Sequence, residues 1–165
     1  MLAMAYDGNI FLLPKDGAEA AVVTTNGMLK RDGKLVMGAG IAKYCRDTFP
    51  GIDAILGWHV KQSGNVPAWT AAWEDFHREA AGLDPFVNVI SCPTKHDWRN
   101  PSDLNLIVDS CRRLPAIADE IGLDRIYLPA LGCGLGGLNW KNAVMPAIAG
   151  ILDDRFVAAI PKAML

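Results

Sequence analysis

Two apolar runs in this chain each lead into a glycine-rich loop and then into a segment with helical periodicity. The run 125–131 precedes four glycines within the six residues 132–137, and helix-compatible sequence follows from Asn139. Glycine allows positive φ and lets an anion approach the backbone without a Cβ in the way. A helix N-terminus adds N–H donors and partial positive charge. The pattern fits either a tight strand–helix turn that binds nothing or a phosphate cradle.

A second loop of the same kind, at 33–42, favours the phosphate cradle. It follows the apolar run 20–25 and opens a helix-like segment at 41–48. Two such loops predict a ligand with two phosphates, or one diphosphate held from both sides. Asn26 follows the first run, at the strand end where open α/β sheets bind ligands. Its amide suits sugar hydroxyls, although an ordinary turn Asn before Gly27 gives the same sequence.

Composition narrows the fold and the class of function. The 165 residues, 51% hydrophobic, predict a single domain spanning 1–165. A net charge of −2 argues against sequence-independent binding of duplex nucleic acid. No apolar run approaches the ~20 residues that span a bilayer, and no charged leader marks a signal peptide, so we expect no membrane association. The 4 cysteines and 3 histidines lack ligand spacing. We therefore expect no metal, no cofactor and reduced thiols in the cytoplasm.

Strand and helix patterns alternate along the chain. Strands are expected at 1–13, broken by a turn at Asp7–Gly8, and at 20–25, 86–91, 125–131 and 156–160. Helices are expected at 41–49, at 53–62 and at 140–153, the last despite Pro146. Another helix should begin at the cap Ser102–Asp103 and run to 114. After Pro115, the segment 116–121 should be either a kinked continuation of that helix or a second helical piece. The stretch 66–79 fits a strand or a helix. The alternation predicts a three-layer α/β/α sandwich with a mostly parallel sheet. Three strand ends, 25–26, 91–95 and 131–137, should then line one crevice.

Three segments together resemble a known family. They are V-M-G-A-G-I-A at 36–42, P-T-K-H-D-W-R at 93–99 and L-G-C-G-L-G-G-L-N-W at 131–140. In this order and spacing they resemble the macrodomain family, and most of all its ADP-ribosyl glycohydrolase branch. That branch includes the DNA ADP-ribosyl glycohydrolase antitoxins and the terminal ADP-ribose glycohydrolase of animals. The resemblance implies a mixed sheet between helices and an ADP-ribose site with the diphosphate between two glycine loops.

The resemblance also implies which residues contact ADP-ribose. The loop along the distal ribose and diphosphate would be Gly38, Ala39, Gly40 and Ile41, and the second phosphate loop would be Cys133, Gly134, Leu135, Gly136 and Gly137. Asn26 would face the distal ribose, with Thr94 also at the ligand. Asn9 and Ile10 match a Gly-Asp-Ile motif whose carboxylate takes the adenine amino group. Asn9 keeps an acceptor oxygen but loses the charge.

Lys95 is the expected catalytic residue. In the branch that the chain resembles, a lysine after threonine in this loop attacks the anomeric carbon or supports the reaction. A phosphate-positioning or solvent-facing lysine is the alternative. The animal enzyme pairs its lysine with an aspartate, and Gly136 stands at that position here. His96 is then the alternative acid or base, although such a histidine is more often structural. Trp98 and Arg99 can stack on a base or hold a phosphate of nucleic acid, although Trp98 can equally pack on the next helix.

The expected function is hydrolysis of the bond between ADP-ribose and a macromolecule, with a DNA base as the favoured acceptor. The partner is then ADP-ribose or an ADP-ribosylated macromolecule such as modified single-stranded DNA, and the protein is expected to be a monomer. An ADP-ribose 1″-phosphate phosphatase, a non-catalytic ADP-ribose reader and an unrelated nucleotide-binding α/β protein are the alternatives. The stretch 64–85 is longer than the resemblance implies, and we expect a lid or a specificity element there.

Overall fold

A computed structural model describes residues 1–74 and 76–165, which contain one six-stranded sheet. The strands are β1 (Leu2–Ala5), β2 (Glu19–Thr25), β3 (Ala68–Trp73), β4 (Phe86–Pro93), β5 (Arg125–Leu128) and β6 (Phe156–Ile160). Their order across the sheet is β1-β6-β5-β2-β4-β3. Every pair is parallel except β3 with β4. The mixed, mostly parallel sheet is therefore confirmed.

Helices cover both faces of this sheet. They are α1 (Gly40–Thr48), α2 (Ile52–Ser63), α3 (His77–Ala80), α4 (Leu104–Ile121) and α5 (Met145–Ile148). Successive residues of a strand point to opposite faces. Val22 accordingly packs in one core with Leu114 of α4, and Val23 packs in the other with Leu56 of α2. The three-layer α/β/α sandwich is confirmed. Within the described ranges, no helix combines the length and apolar character needed to cross a membrane.

The segment after β1 differs from the predicted strand at 1–13. Ile10–Leu12 form a 3₁₀ helix instead of a continued strand. Asn9 Oδ1 accepts a hydrogen bond of 2.9 Å from the amide of Phe11. This side-chain cap turns the backbone out of the extended conformation. Ile10 and Phe11 are buried, so their apolar character reports core packing and not a strand.

Two prolines affect their elements differently. β5 ends at Leu128, before Pro129, and is shorter than the predicted strand because proline has no N–H for the ladder. α4 runs through Pro115 to Ile121 as one helix. The second helical piece that was one alternative at 116–121 is therefore part of α4, and Gly122 caps this helix with φ 81°.

The predicted helix at 140–153 is shorter and partly irregular. Its first five residues, Trp140–Val144, are π-helical, and α5 covers only Met145–Ile148. The side chain of Asn139 caps this end by accepting a 2.8 Å hydrogen bond from Asn142 N. Pro146 lies in the first turn of α5, directly after the π-helical turn.

The ambiguous stretch 66–79 contains both a strand and a helix, with Asp75 outside the described residues. β3 is the antiparallel edge strand beside β4. In α3, buried Arg78 donates hydrogen bonds to Phe11 O (2.7 Å) and Asp84 O (2.6 Å). The described part of 64–85 does not line the cleft identified below, so the expected lid is not observed. The segment instead supports the 3₁₀ helix through Arg78 and the backbone of Lys95 through Asn65.

Candidate active site

A cleft of about 1440 Å³ follows the edge of the sheet where the parallel strands end. Its walls come from the loops after β1, β2, β4, β5 and β6, represented by Asn9, Asn26, Lys95, Gly134 and Pro161. The predicted meeting of three strand ends in one crevice is confirmed. The sheet order separates the β1 and β4 loops by four strand spacings, or roughly 19 Å. The cleft can therefore hold an elongated ligand.

The first glycine loop leads directly into α1. Gly38, Ala39 and Gly40 line the cleft, and the amides of Gly38 and Ala39 donate to no acceptor among the described residues. The first amides of α1, from Gly40 onward, have no carbonyl four residues earlier in the helix. Ala39 occupies the cap position and has no side chain to satisfy them. This helix N-terminus is consequently open to an anion.

The second glycine loop follows β5 and approaches the first. Within the described ranges, the amides of Gly134, Leu135 and Gly136 have no hydrogen-bond acceptor. Leu135 is 73% exposed, and its Cδ1 lies 3.8 Å from where a Cβ on Gly40 would be. The free amides of both glycine loops thus border the same cleft, as expected for two loops that bind the phosphates of one ligand.

Gly136 is closely packed against the residue before the α4 cap. Ser102 N donates a 3.1 Å hydrogen bond to Gly136 O. A Cβ on Gly136 would overlap Ser102 Oγ and lie 2.5 Å from Gly132 O. An aspartate, as in the animal enzyme that the chain resembles, does not fit here without movement of the loop.

The thiol in this loop does not face the cleft. Cys133 does not line its wall, and its Sγ donates a 3.3 Å hydrogen bond to Leu131 O. Burial raises the pKa of Cys133 to about 11. Any contact of Cys133 with a ligand in this arrangement is through its backbone.

Lys95 lies in the cleft wall on a backbone held from two sides. The amides of Thr94 and Lys95 both donate to Thr25 O, at 3.0 and 3.4 Å. Asn65 Nδ2 donates to Lys95 O at 3.0 Å. No described carboxylate pairs with the Lys95 ammonium. Thr94 and Lys95 therefore share one wall with the glycine loops, as predicted.

His96 is placed differently from Lys95. Its side chain is 65% exposed, and Nε2 lies 2.9 Å from Asp103 Oδ2. Asp103 is also the N-cap of α4, accepting from Asn105 N at 2.9 Å. The hydrogen bond from His96, with the amides of Asn105 and Leu106, lowers the pKa of Asp103. His96 does not line the cleft and is not brought together with Lys95.

The two asparagines predicted at the ligand use their side chains to hold the protein's own loops. Asn26 Nδ2 donates to Val36 O at 2.8 Å, and Asn26 Oδ1 accepts from Met28 N at 2.9 Å. Asn9 Nδ2 donates to the hydroxyl of Tyr44 at 2.8 Å. Both asparagines line the cleft, so each fixes the shape of its wall.

Two cleft residues, Tyr44 and Ser102, were not predicted there. Tyr44 is 43% exposed, and its ring is parallel to that of Phe11 with centroids 6.1 Å apart. Its helical spacing from Ile41 indicated a place on the apolar face of the helix, so the sequence did not predict that Tyr44 lines the cleft. Ser102 Oγ is buried without a hydrogen-bond partner among the described residues. No sequence signal distinguishes Ser102 from an ordinary helix cap.

Trp98 and Arg99 lie beyond Lys95 in the same loop. Trp98 is 53% exposed and lines the cleft, so packing on the next helix does not bury it. The Arg99 guanidinium lies 5.8 Å from the Trp98 ring centroid. It donates to both carboxylate oxygens of Asp97 at 3.0 and 2.6 Å and lowers the pKa of Asp97 to about 2.

Related proteins share both sequence and fold with this chain. The Macro domain family model matches residues 74–147. A DNA ADP-ribosyl transferase-DNA ADP-ribosyl glycohydrolase fusion protein of Thermosipho africanus is 42% identical over 119 residues, covering 64% of this chain and 30% of that protein. A DNA ADP-ribosyl glycohydrolase of Thermus aquaticus is 36% identical over 143 residues, covering 82% of this chain and 34% of that protein. The chain thus spans about a third of these relatives.

Solved structures of such proteins have the same fold as this chain. The macrodomain of Mycobacterium tuberculosis DarG matches with a TM-score of 0.70 and 25% identity over 97% of each chain. Thermosipho africanus DarTG in complex with ADP-ribose matches with a TM-score of 0.73 and 23% identity, covering 98% of this chain and 42% of that one. The sequence motifs, the family model over 74–147 and the fold all match the macrodomain family.

Proposed function

We propose that this chain binds ADP-ribose and hydrolyses the bond that joins it to a base of single-stranded DNA. The observation that carries the proposal is the position of Lys95, in the same cleft as two loops with free backbone amides. The names of the relatives support the choice of reaction and acceptor, since each is called a DNA ADP-ribosyl glycohydrolase or contains one.

The sheet order suggests how ADP-ribose lies in the cleft. Asn9 and Tyr44 stand at the β1 end and Lys95 at the β4 end. The glycine loops follow β2 and β5, between those ends. Their amides suit the diphosphate. Adenine then lies near Asn9, with the distal ribose and its anomeric carbon near Lys95.

The reaction breaks the bond from the anomeric carbon C1″ to a base nitrogen. Water supplies the hydroxyl that remains on C1″ and the proton that remains on the released base. Lys95 as an ammonium group would stabilise negative charge on the departing base. As a neutral amine it would attack C1″ and form a covalent bond that water then cleaves.

The test is release of free ADP-ribose from a single-stranded oligonucleotide carrying ADP-ribose on one base. We expect release by the unmodified protein and a decrease of roughly 100-fold or more for Lys95→Ala. Lys61→Ala, which removes an exposed lysine of α2 outside the cleft, is the matched control and should retain full activity. Full activity of Lys95→Ala would remove Lys95 from the mechanism.

Lys95→Arg separates the two chemical roles. Arginine keeps the positive charge but does not deprotonate in proteins, so it cannot act as a nucleophile. Substantial release by Lys95→Arg would assign the cationic role. Loss equal to that of Lys95→Ala, with ADP-ribose still bound, would assign attack by the amine.

A reader that binds ADP-ribose without cleaving it is the second candidate. The observation that favours it is the distribution of carboxylates. Among the described residues that line the cleft, the one carboxylate belongs to Asp7, at the β1 end. No such group stands beside Lys95 to donate a proton to the leaving base. Tight binding of the modified oligonucleotide without release would establish the reader.

We also propose that the protein works as a monomer in the reducing cytoplasm. All four cysteines are free thiols, and Cys45, Cys92 and Cys111 are buried. Sedimentation at micromolar concentration should give the mass of one chain. Titration of unfolded protein prepared without reductant in lysis should find four free thiols, and a disulfide would contradict this compartment.

A further inference from the structure

Trp98 occupies an exposed corner beside the proposed reacting end of the cleft. Asn100 N donates to Asp97 O at 3.1 Å, which closes a turn with Trp98 and Arg99 at its two central positions. The indole is 53% exposed although it lines the cleft. A large apolar ring left in water at a cleft wall is available for contact with a ligand.

The neighbouring ion pair gives this ring a packing partner. The Arg99 guanidinium lies against the indole, 5.8 Å from its centroid. Arg99 is itself fixed by its two hydrogen bonds to Asp97, at 3.0 and 2.6 Å. A ring that is already ordered loses less conformational entropy when a ligand stacks on it.

The local charges favour stacking over phosphate binding at this corner. The carboxylate of Asp97 neutralises Arg99, so this turn adds no net positive charge for a DNA backbone. The whole chain has a net charge of −2, which gives little sequence-independent attraction to a polyanion. A flat aromatic ring, in contrast, binds any base through its π-face.

We propose that Trp98 is a stacking platform for the ADP-ribosylated base itself. The inference rests on the proposed function and extends it by assigning the acceptor's contact. Trp98 is three residues after Lys95 in one loop, and the base attached to C1″ is the part of the acceptor nearest to the reacting carbon. Trp98 touches the leaving group and determines specificity for an aromatic acceptor.

Binding without turnover tests this platform directly. Three probes are compared by titration in a Lys95→Ala background, which prevents hydrolysis: free ADP-ribose, an ADP-ribosylated mononucleoside and an ADP-ribosylated pentanucleotide. We expect both base-linked probes to bind roughly ten-fold more tightly than free ADP-ribose. Trp98→Ala should abolish that gain and leave the Kd of free ADP-ribose within about two-fold. Trp98→Phe should keep most of the gain, since phenylalanine also stacks.

Trp58→Ala provides the matched control. Trp58 is 58% exposed and belongs to α2, outside the cleft wall, so its removal should change none of the three Kd values. The proposal is overturned if the base-linked probes bind no better than ADP-ribose. It is also overturned if Trp98→Ala keeps the gain, or if only the pentanucleotide shows a gain, which would place a neighbouring base on the ring.

Failure of this inference is distinguishable from failure of the proposed function. Release of ADP-ribose by the unmodified protein, together with an unchanged gain in Trp98→Ala, would leave the hydrolase and remove the platform. A gain that depends on Trp98, in a protein that releases nothing, would keep the platform in a reader. Absence of binding to all three probes, together with no release by the unmodified protein, would overturn both.

Discussion

Gly136 shows how a single residue limits the chemistry of the cleft. Its Cα faces Ser102 and Gly132 O so closely that a Cβ would overlap Ser102 Oγ. Gly134, two residues earlier, has no heavy atom within 4 Å of the corresponding position. The two glycines look equivalent in the sequence, yet only one of them is required by packing.

Alanine at these two positions should therefore have unequal effects. Overpacking at Gly136 should lower the free energy of unfolding by about 1–3 kcal/mol and weaken ADP-ribose binding, because the free amides of the loop shift. Gly134→Ala should stay within about 0.5 kcal/mol of the unmodified protein. Urea denaturation and calorimetric titration measure both quantities. Equal stability of the two variants would contradict the packing seen at Ser102.

Cys133 provides a second test at the scale of one residue. Burial raises its pKa to about 11, so at pH 8 about one thiol in a thousand is ionised. We expect iodoacetamide at that pH to leave Cys133 unmodified in the folded protein over minutes, and ADP-ribose binding to persist. Mass spectrometry after unfolding should show all four cysteines modified. Rapid alkylation of folded protein at Cys133 would show that the thiol faces solvent.

Residue types at the cleft were predictable, but the directions of their side chains were not. The motif around Lys95 placed that residue in the cleft correctly. His96 follows it directly in the sequence, yet its Nε2 lies 2.9 Å from Asp103 Oδ2. The side-chain amide of Asn26 likewise donates to Val36 O and accepts from Met28 N. These choices depend on partners that only the folded loops bring within reach.

At the scale of elements, α4 depends on Asp103 for its N-cap. Asp103 Oδ1 accepts from Asn105 N, and Oδ2 is bonded to His96. These interactions lower the pKa of Asp103 in the folded protein. A lowered folded-state pKa gives stability that is present above the unfolded value of about 3.9 and is lost as pH falls through the folded value.

The melting temperature of Asp103→Ala should therefore be roughly 2–4 °C below that of the unmodified protein at pH 7. The difference should shrink as the pH is lowered below about 4, where the capping carboxylate takes up a proton. Thermal unfolding from pH 7 to pH 3 measures both. A difference that stays constant over this range would mean that the carboxylate charge does not contribute to the cap.

His96→Ala tests the same element from the other side. Removing the imidazole removes the main interaction that lowers the Asp103 pKa, so the stability that Asp103 loses in acid should be smaller and its loss complete at a higher pH. Hydrolytic activity should change little if His96 acts only at the helix cap. A large decrease in kcat with unchanged stability would instead support the acid–base role predicted from the sequence.

Regular elements followed from hydrophobic periodicity, and irregular ones did not. α1 and α2 match their predicted segments within a residue or so at each end. The apolar residues Ile41, Tyr44 and Cys45 recur at helical spacing in α1, and buried Ile52 and Leu56 do so in α2. The 3₁₀ helix at Ile10–Leu12 and the π-helical turn at Trp140–Val144 begin at Asn9 and Asn139. Side-chain hydrogen bonds of these asparagines set the local backbone, and an apolar pattern carries no information about them.

For the whole molecule, the layers were predictable while the neighbours of each strand were not. The run Ala20–Val23 is fully buried, as an all-apolar strand in a parallel sheet requires. β1 pairs with β6, joining Leu2 to Val157. No local pattern specifies a partner so far away in the chain, although this pairing creates the far end of the cleft.

This arrangement predicts how ligands stabilise the molecule. In the proposed orientation, ADP-ribose would contact loops from opposite ends of the sheet, AMP would fill the β1 end and ribose 5-phosphate would fill the β4 end. At a concentration 100 times its Kd, a ligand that binds only the folded state adds about 2.7 kcal/mol, or roughly 5–10 °C in melting temperature here.

All three ligands are compared at one concentration, about 100 times the Kd of ADP-ribose. Each fragment should then raise the melting temperature less than ADP-ribose does, because each contacts only part of the cleft. The Asn9→Ala variant should reduce the shift from AMP while leaving the shift from ribose 5-phosphate unchanged. Lys95→Ala should affect the two fragments in the opposite way. Thermal unfolding of the three proteins with the three ligands gives the full comparison. If Asn9→Ala weakened the shift from ribose 5-phosphate and spared that from AMP, the ligand would lie in the reverse direction and Lys95 would not face the reacting carbon.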